Sequence, residues 1–149
     1  MKVLFLDIDG VLNSETFMTS LPFCLEDDLR DNIDSQAVSV LNEIIEKSDS
    51  KIVISSTWRK IYPLPKIVEA LENKGFKHSN KIIGCTPIYD VGVRGDEIQE
   101  WLDHMAIDSF AILDDDSDMK NLKPHLVQTT WKEGLQPEHI ERVLNILEL

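Results

Sequence analysis

Cysteine and long apolar runs are both scarce in this sequence, and each scarcity excludes a class of protein. Two cysteines, Cys24 and Cys85, are too few and too isolated for a disulfide framework. We therefore expect small semi-buried thiols in a reducing, cytoplasmic protein. No apolar run approaches the roughly 20 residues that span a bilayer, so we expect no membrane contact. Because the first apolar run begins at once, we also expect no signal peptide.

Basic residues are the next scarcity. Lysine and arginine number 15 against 27 aspartate and glutamate residues, which gives a net charge of −12. This balance opposes non-specific nucleic-acid binding, which relies on a basic surface. It does not exclude an enzyme that grips one phosphate at the end of a strand. Part of the acidity is concentrated in the run from Asp114 to Asp118 and in a second group, Glu26, Asp27, Asp28 and Asp31. We interpret the second group as a solvated loop.

Short apolar runs alternate with amphipathic stretches along the chain. The sequence predicts strands over 2–6, 51–55, 82–83, 110–113 and 126–129. It predicts helices that begin at Asp34 or Ser35 and that cover about 65–74, 96–105 and 137–147. Continuous apolar strands separated by helices are typical of a parallel sheet covered on both faces. We therefore predict one domain over 1–149 with a three-layer α/β/α, Rossmann-like fold, in which the polar residues 14–33 form a flap or loop excursion.

Polar clusters follow three of the predicted strands. They are Asp7 with Asp9, Ser55-Ser56-Thr57, and Asp114-Asp115-Asp116. Each alone is more often a turn or a helix cap, but together and in this order they form a specific signal, because sites in open parallel sheets lie beyond the carboxyl ends of strands. Like charges as close as Asp7 and Asp9 resist joint ionisation, so the pair calls for a cation, a nucleophile, an acid or all three. Gly10 lets the chain turn away without a side chain in the way.

With these clusters the chain resembles the haloacid dehalogenase-like (HAD) phosphohydrolase superfamily over nearly its whole length. Residues 7–12, Asp-Ile-Asp-Gly-Val-Leu, match the first motif in full. Ser55 or Ser56 matches the hydroxyl residue that ends a strand, Arg94 the basic residue that starts a later helix, and Asp114-Asp115 the acidic residues that end another strand. The stretches 55–59 and 94–98 are more narrowly similar to HAD domains linked to RNA end repair.

The resemblance implies a Mg²⁺-dependent phosphomonoesterase. Asp7 would be the nucleophile that forms an aspartyl-phosphate, and Asp9 the general acid for the leaving oxygen and then the base for water. Mg²⁺, which prefers oxygen ligands, would be held by the Asp7 side chain, the Asp9 backbone carbonyl and Asp114. Asp115 would ligate through water or orient the shell. Asp118 is a weaker ligand candidate, and we expect Asp116 to point away.

Other residues would handle the phosphoryl group. Ser55, or Ser56 in its place, would bind a phosphoryl oxygen together with backbone donors at Gly10. Arg94 would neutralise the acidic cluster or the transferring group, unless it is a surface residue. Lys81 or Lys123 would then replace it. Arg59 either grips a substrate phosphate or faces solvent.

Three further residues have two interpretations each. Trp58 either packs in the core or stacks on a base, Trp131 lines the cleft or packs, and Asn13 holds the loop or contacts phosphate. Trp101 falls on the apolar stripe of its helix, so we expect it in the core.

The gaps between the motifs leave no room for a sizeable cap domain. An open site favours large phosphorylated substrates, such as nucleic-acid 3′-phosphate ends, although a nucleotidase or small-metabolite phosphatase stays open if 14–33 or an oligomer covers the cleft. A phosphotransferase and a non-catalytic phosphate-binding or regulatory module are the remaining alternatives. The oligomeric state is open.

Overall fold

Five parallel strands form one sheet in this computed structural model, which describes residues 1–22 and 32–148. They lie in the order β3-β2-β1-β4-β5. Their bounds are β1 Lys2–Leu6, β2 Lys51–Ile54, β3 Ile82–Cys85, β4 Ser109–Asp114 and β5 Leu126–Gln128. The predicted parallel sheet is therefore confirmed, and β3 is two residues longer than the sequence predicted.

Five α-helices connect the strands of the described part. They are α1 Glu15–Ser20, α2 Ser35–Ser48, α3 Leu64–Asn73, α4 Arg94–Asp103 and α5 Glu138–Glu148. Helix α4 begins two residues before its predicted start, and the Asp96 carboxylate accepts a hydrogen bond from the Val93 N–H at this end. Helix α1 lies at the beginning of the predicted excursion, where the Ser14 hydroxyl caps it by accepting from the Phe17 N–H at 3.1 Å. The acidic group Glu26, Asp27, Asp28 and Asp31 lies entirely outside the described residues, as does Cys24.

Apolar side chains cover both faces of the sheet, as a three-layer α/β/α fold requires. On one face, Leu4 and Leu6 of β1 belong to a large core with the apolar sides of α2, α3 and α5. On the other face, Phe5 packs edge-on against Trp101 of α4, with ring centroids 5.4 Å apart. The alternation of β1 side chains between two cores confirms that the strand is buried on both sides. The described residues contain no cap domain and no helix long and apolar enough to cross a bilayer.

The ladder of backbone hydrogen bonds continues one residue beyond the strands at their carboxyl ends. The N–H groups of Asp7, Ser55 and Thr86 donate to the neighbouring strands at 3.0, 2.9 and 3.0 Å. Leu6 pairs with both Leu113 and Ile54, and Ile54 pairs with Cys85. The next residues therefore lie side by side across four strands. We call Asp114, Asp7, Ser55 and Thr86 the edge row.

Candidate active site

An acidic cluster lies at one end of the edge row, where Asp114 and Asp7 are neighbours. Carboxylate oxygens of Asp7, Asp114 and Asp115 lie within 4.8 Å of one another. Asp7 is 4% exposed and Asp114 is fully buried. The strands position Asp7 and Asp114, because both end neighbouring strands in the same register. This is the juxtaposition that the sequence predicted for the ends of β1 and β4.

Arg94 joins the two buried carboxylates from the first turn of α4. Its Nη1 lies 3.0 Å from Asp7 Oδ1 and 2.7 Å from Asp114 Oδ2. Helix α4 lies close to the backbone of Met119, and this approach depends on Gly95, because a Cβ at position 95 would lie 2.8 Å from that backbone. Of the two alternatives to Arg94, Lys81 instead pairs with Asp49, and Lys123 is exposed.

The cluster holds more negative charge than one guanidinium balances. Burial, and next the neighbouring Asp114 carboxylate, raise the pKa of Asp7 to about 8 even though Arg94 opposes the shift. Burial also raises the pKa of Asp115. A divalent cation would relieve this repulsion, and three carboxylates suit a hard cation such as Mg²⁺. The donor set therefore fits the ion that the sequence predicted.

The neighbouring acids lie outside this cluster. Asp116 and Asp118 are exposed, and the Asp116 N–H donates to Asp114 Oδ1 at 2.9 Å. Asp9 contributes no carboxylate to the cluster, and ligation by its backbone carbonyl stays a prediction.

The Asp9 carboxylate projects from the loop after β1, with one oxygen held and the other open. Its Oδ1 accepts hydrogen bonds from Trp58 Nε1 at 3.1 Å and from Asn13 Nδ2 at 2.9 Å. No hydrogen bond with a described residue is made by Oδ2. Trp58 is 6% exposed, so its ring packs in the core while its N–H orients the candidate acid. Asn13 holds the same loop, because its Oδ1 also accepts from the Gly10 N–H at 2.9 Å.

Gly10 has a role that differs from the substrate contact expected from the sequence. Its N–H is engaged by Asn13, and its φ of +80° is a conformation that L side chains rarely adopt. A Cβ at this position would collide with the Asp115 carboxylate. Gly10 therefore allows the loop to pass close to the acidic cluster.

Three buried donors at the carboxyl ends of the strands and the start of α4 have no hydrogen-bond partner among the described residues. They are the Ser55 hydroxyl, the Thr86 hydroxyl and Arg94 Nε. Ser55 and Thr86 are neighbours in the edge row, and a phosphoryl oxygen is a partner that would satisfy them. Ser56 differs, because its hydroxyl accepts from the Trp58 N–H at 3.2 Å and caps the 3-10 turn 57–60. The sequence analysis did not identify Thr86, because only the register of β3 against β2 in the folded sheet places it beside Ser55.

Arg59 lies beneath the site and neither grips a substrate phosphate nor faces solvent, which corrects both of the sequence expectations. Its guanidinium is 2% exposed and forms an ion pair with Glu97 of α4 at 2.6 Å. It also donates to the backbone carbonyls of Ser55, Ser56, Thr86 and Pro87 at 2.7–3.1 Å. All five N–H groups thus have partners. Arg59 joins the loop after β2, the loop after β3 and α4.

One family model matches the chain. It is described as the HAD domain in Swiss Army Knife RNA repair proteins and matches residues 3–140. The match includes four strands in full, β1 from its second residue, and every residue of the candidate site. The comparisons with curated proteins and with solved structures found no match.

Proposed function

The chain belongs to the family of HAD domains found in Swiss Army Knife RNA repair proteins, and from this premise we propose that it is a Mg²⁺-dependent phosphomonoesterase acting on nucleic-acid 3′-phosphate ends. The observation that carries the proposal is the buried cluster of Asp7, Asp114 and Asp115 beside Arg94. A structural role does not account for it, because uncompensated buried carboxylates oppose folding.

The reaction would have two steps at one phosphorus. In the first, an Asp7 carboxylate oxygen forms a bond to phosphorus while the ester bond to the leaving oxygen breaks, and Asp9 gives its proton to that oxygen. In the second, Asp9 takes a proton from water as the water oxygen bonds to phosphorus and the bond to Asp7 breaks. Inorganic phosphate leaves, and both carboxylates return to their initial states. The open oxygen of Asp9 is the one suited to these proton transfers, because Trp58 and Asn13 hold the other.

The remaining residues would bind charge. The hydroxyls of Ser55 and Thr86, with Arg94 Nε, would donate to the phosphoryl oxygens. Asp7, Asp114 and Asp115 would hold Mg²⁺, which when bound keeps Asp7 ionised and neutralises charge on the transferring group. Arg94 would hold Asp7 and Asp114 in place as charge develops.

A nucleotidase that uses the same steps is the second candidate. The net charge of −12 favours it, since a long polyanionic strand is repelled by an acidic protein. A non-catalytic phosphate-binding module is disfavoured because Asp9 is present and its side chain is held by two donors.

The test is phosphate release from a panel of esters, with Mg²⁺ and with EDTA. The panel contains a 3′-phosphorylated oligonucleotide, its 5′-phosphorylated isomer, nucleoside monophosphates and glycerol 2-phosphate. We expect the 3′-phosphorylated oligonucleotide to be hydrolysed fastest, EDTA to abolish release, and Asp7→Asn to lower kcat by at least about 1,000-fold, as loss of a nucleophile does.

Asp103→Asn is the matched control, since it removes an exposed carboxylate at the end of α4. Unchanged turnover in Asp7→Asn would contradict the mechanism. Preference for mononucleotides would favour the nucleotidase.

A further inference from the structure

A cleft of about 250 Å³ opens beside Asp9. Its lining is mixed: five of the nine lining residues are aromatic or apolar, namely Met18, Trp58, Ile61, Tyr62 and Trp131, and the other four, Asp9 among them, are polar. Two larger clefts, of about 550 and 660 Å³, are lined by neither Asp7, Asp9 nor Asp114. The small cleft is therefore of interest because it contacts the candidate acid Asp9, not because of its size.

The walls of this cleft leave large apolar side chains exposed. Trp131, in the turn after β5, is 45% exposed, and Ile61, after the turn 57–60, is 70% exposed. Trp58, which also lines the cleft, is held in place because it packs edge-on against Tyr62 with ring centroids 6.0 Å apart and donates to Asp9. Exposed aromatic and apolar surface next to a ring that is held in place is typical of a binding site for a flat apolar group.

The position of the cleft decides which part of a substrate it would take. In the proposed reaction the phosphoryl group lies at Asp7 and the leaving oxygen at Asp9. A group that extends from the leaving oxygen past Asp9 meets the aromatic lining. The cleft is therefore a site for the leaving alcohol and not for the phosphate.

We infer that the cleft beside Asp9 binds the terminal nucleobase of the leaving strand, with the base stacked on Trp131. This inference rests on the proposed phosphatase function and names its substrate class as a nucleoside 3′-phosphate, free or at a strand end. A base attached to the leaving ribose is a flat aromatic group close to the 3′ oxygen. Stacking on an aromatic side chain tolerates every base, because each base has a π-face. Asn32 adds an amide that can meet the polar edge of the base.

The charges around the cleft agree with a substrate that carries few phosphates. Among the described residues that line the cleft, Asp9 is the only ionisable group apart from the Tyr62 phenol. Two exposed lysines lie next to the lining residues in sequence: Lys60 precedes Ile61, and Lys132 follows Trp131. Each of these two turns therefore carries a positive charge near the cleft. Two cations can meet one or two further backbone phosphates. The acidic remainder of the protein disfavours a longer contact with a strand.

The test compares two phosphate esters on three variants. The esters are a nucleoside 3′-monophosphate and glycerol 2-phosphate, which lacks a base, and kcat/KM is measured for both. Trp131→Ala should lower kcat/KM for the nucleotide roughly 10- to 100-fold, as expected for one lost stacking contact. It should change the value for glycerol 2-phosphate less than about twofold. Trp131→Phe should retain most of the nucleotide activity, because a ring remains.

Met105→Ala is the matched control, since it truncates an exposed apolar side chain, 43% exposed, just beyond α4. It should change neither value. Equal losses on both esters in Trp131→Ala would overturn the inference and assign Trp131 a structural role. Faster hydrolysis of a phosphotyrosine peptide than of the nucleotide would also overturn it and assign the cleft to protein substrates.

A binding measurement separates this inference from the phosphatase proposal. Calorimetry with the nucleoside 3′-monophosphate is carried out on Asp7→Asn and on Asp7→Asn combined with Trp131→Ala. If Asp7→Asn binds the nucleotide and the double variant binds it at least about tenfold more weakly, the base site is supported even if no ester is turned over. Equal affinity in the two variants overturns the base site even if the phosphatase is active.

Discussion

Removal of the Glu97 carboxylate should destabilise the protein far more than removal of a surface acid. The Arg59–Glu97 pair is buried, with side chains 2% and 10% exposed and an N–O distance of 2.6 Å. Glu97→Ala would leave a guanidinium buried without its counter-charge, which costs about 3–5 kcal/mol. That is a large part of the roughly 5–15 kcal/mol that holds a domain folded. The exposed Glu43–Lys47 pair of α2, about half exposed on both sides, should contribute at most about 1 kcal/mol.

Urea unfolding followed by circular dichroism measures both changes. With a slope near 2 kcal/mol per M, Glu97→Ala should lower the midpoint by about 1.5–2.5 M, and Glu43→Ala by no more than about 0.5 M. Glu97→Gln should fall between them, because an amide oxygen can still accept from the Tyr89 N–H that Glu97 now binds at 3.0 Å. Equal midpoints for Glu97→Ala and Glu43→Ala would refute the reasoning, since they would mean that the Arg59 charge needs no buried partner.

Three further predictions concern the site. Trp58→Phe removes the N–H that holds Asp9. Because an aryl leaving group needs no proton from Asp9, kcat should fall more for an alkyl phosphate than for an aryl phosphate. Equal falls in kcat for the two esters would contradict a positioning role for Trp58. Thr86→Val removes one unpartnered hydroxyl and should weaken inhibition by inorganic phosphate about five- to tenfold, whereas Thr86→Ser should not. In EDTA the unfolding free energy should decrease from pH 5 to pH 8, because Asp7, with its pKa raised from 3.8 to about 8, keeps a proton in the folded state that the unfolded chain has lost. Asp7→Asn should flatten this slope, and urea midpoints at the two pH values check it.

The sheet was predictable because its strands are continuous apolar runs. Three of these runs, 3–6, 52–54 and 110–113, have no polar side, so both faces of each strand must be shielded from water. A parallel sheet with helices on both faces provides this cover. The acidic cluster was predictable for the same reason, since Asp7 and Asp114 each end such a run. Periodicity predicts the existence of an element better than its limits, which is why α4 begins and ends two residues earlier than predicted and β3 extends two residues beyond its predicted end.

Several long-range side-chain contacts were not predictable from the sequence. The resemblance assigned Arg94 to the acidic cluster, where the structure places it, but nothing in the local sequence indicated that Arg59 pairs with the buried Glu97. The bond between Trp58 and Asp9 joins residues 49 positions apart. Thr86 follows a strand whose predicted end was two residues too early, so its place in the edge row depends on register. These contacts depend on how elements pack, which no local pattern encodes.

The central position of β1 has a consequence for synthesis of the chain. Lys2–Leu6 is made before both of its partner strands, and the later of the two is Ser109–Asp114. At about 5–20 residues per second, a ribosome needs roughly 3–12 seconds after β2 to complete β4. During that interval one side of β1, next to Asp7, has no strand paired with it, and neither Arg94 nor Asp114 is in place. Chemical competence should therefore arise in a single late event, and a product truncated before β4 should be inert and prone to aggregation.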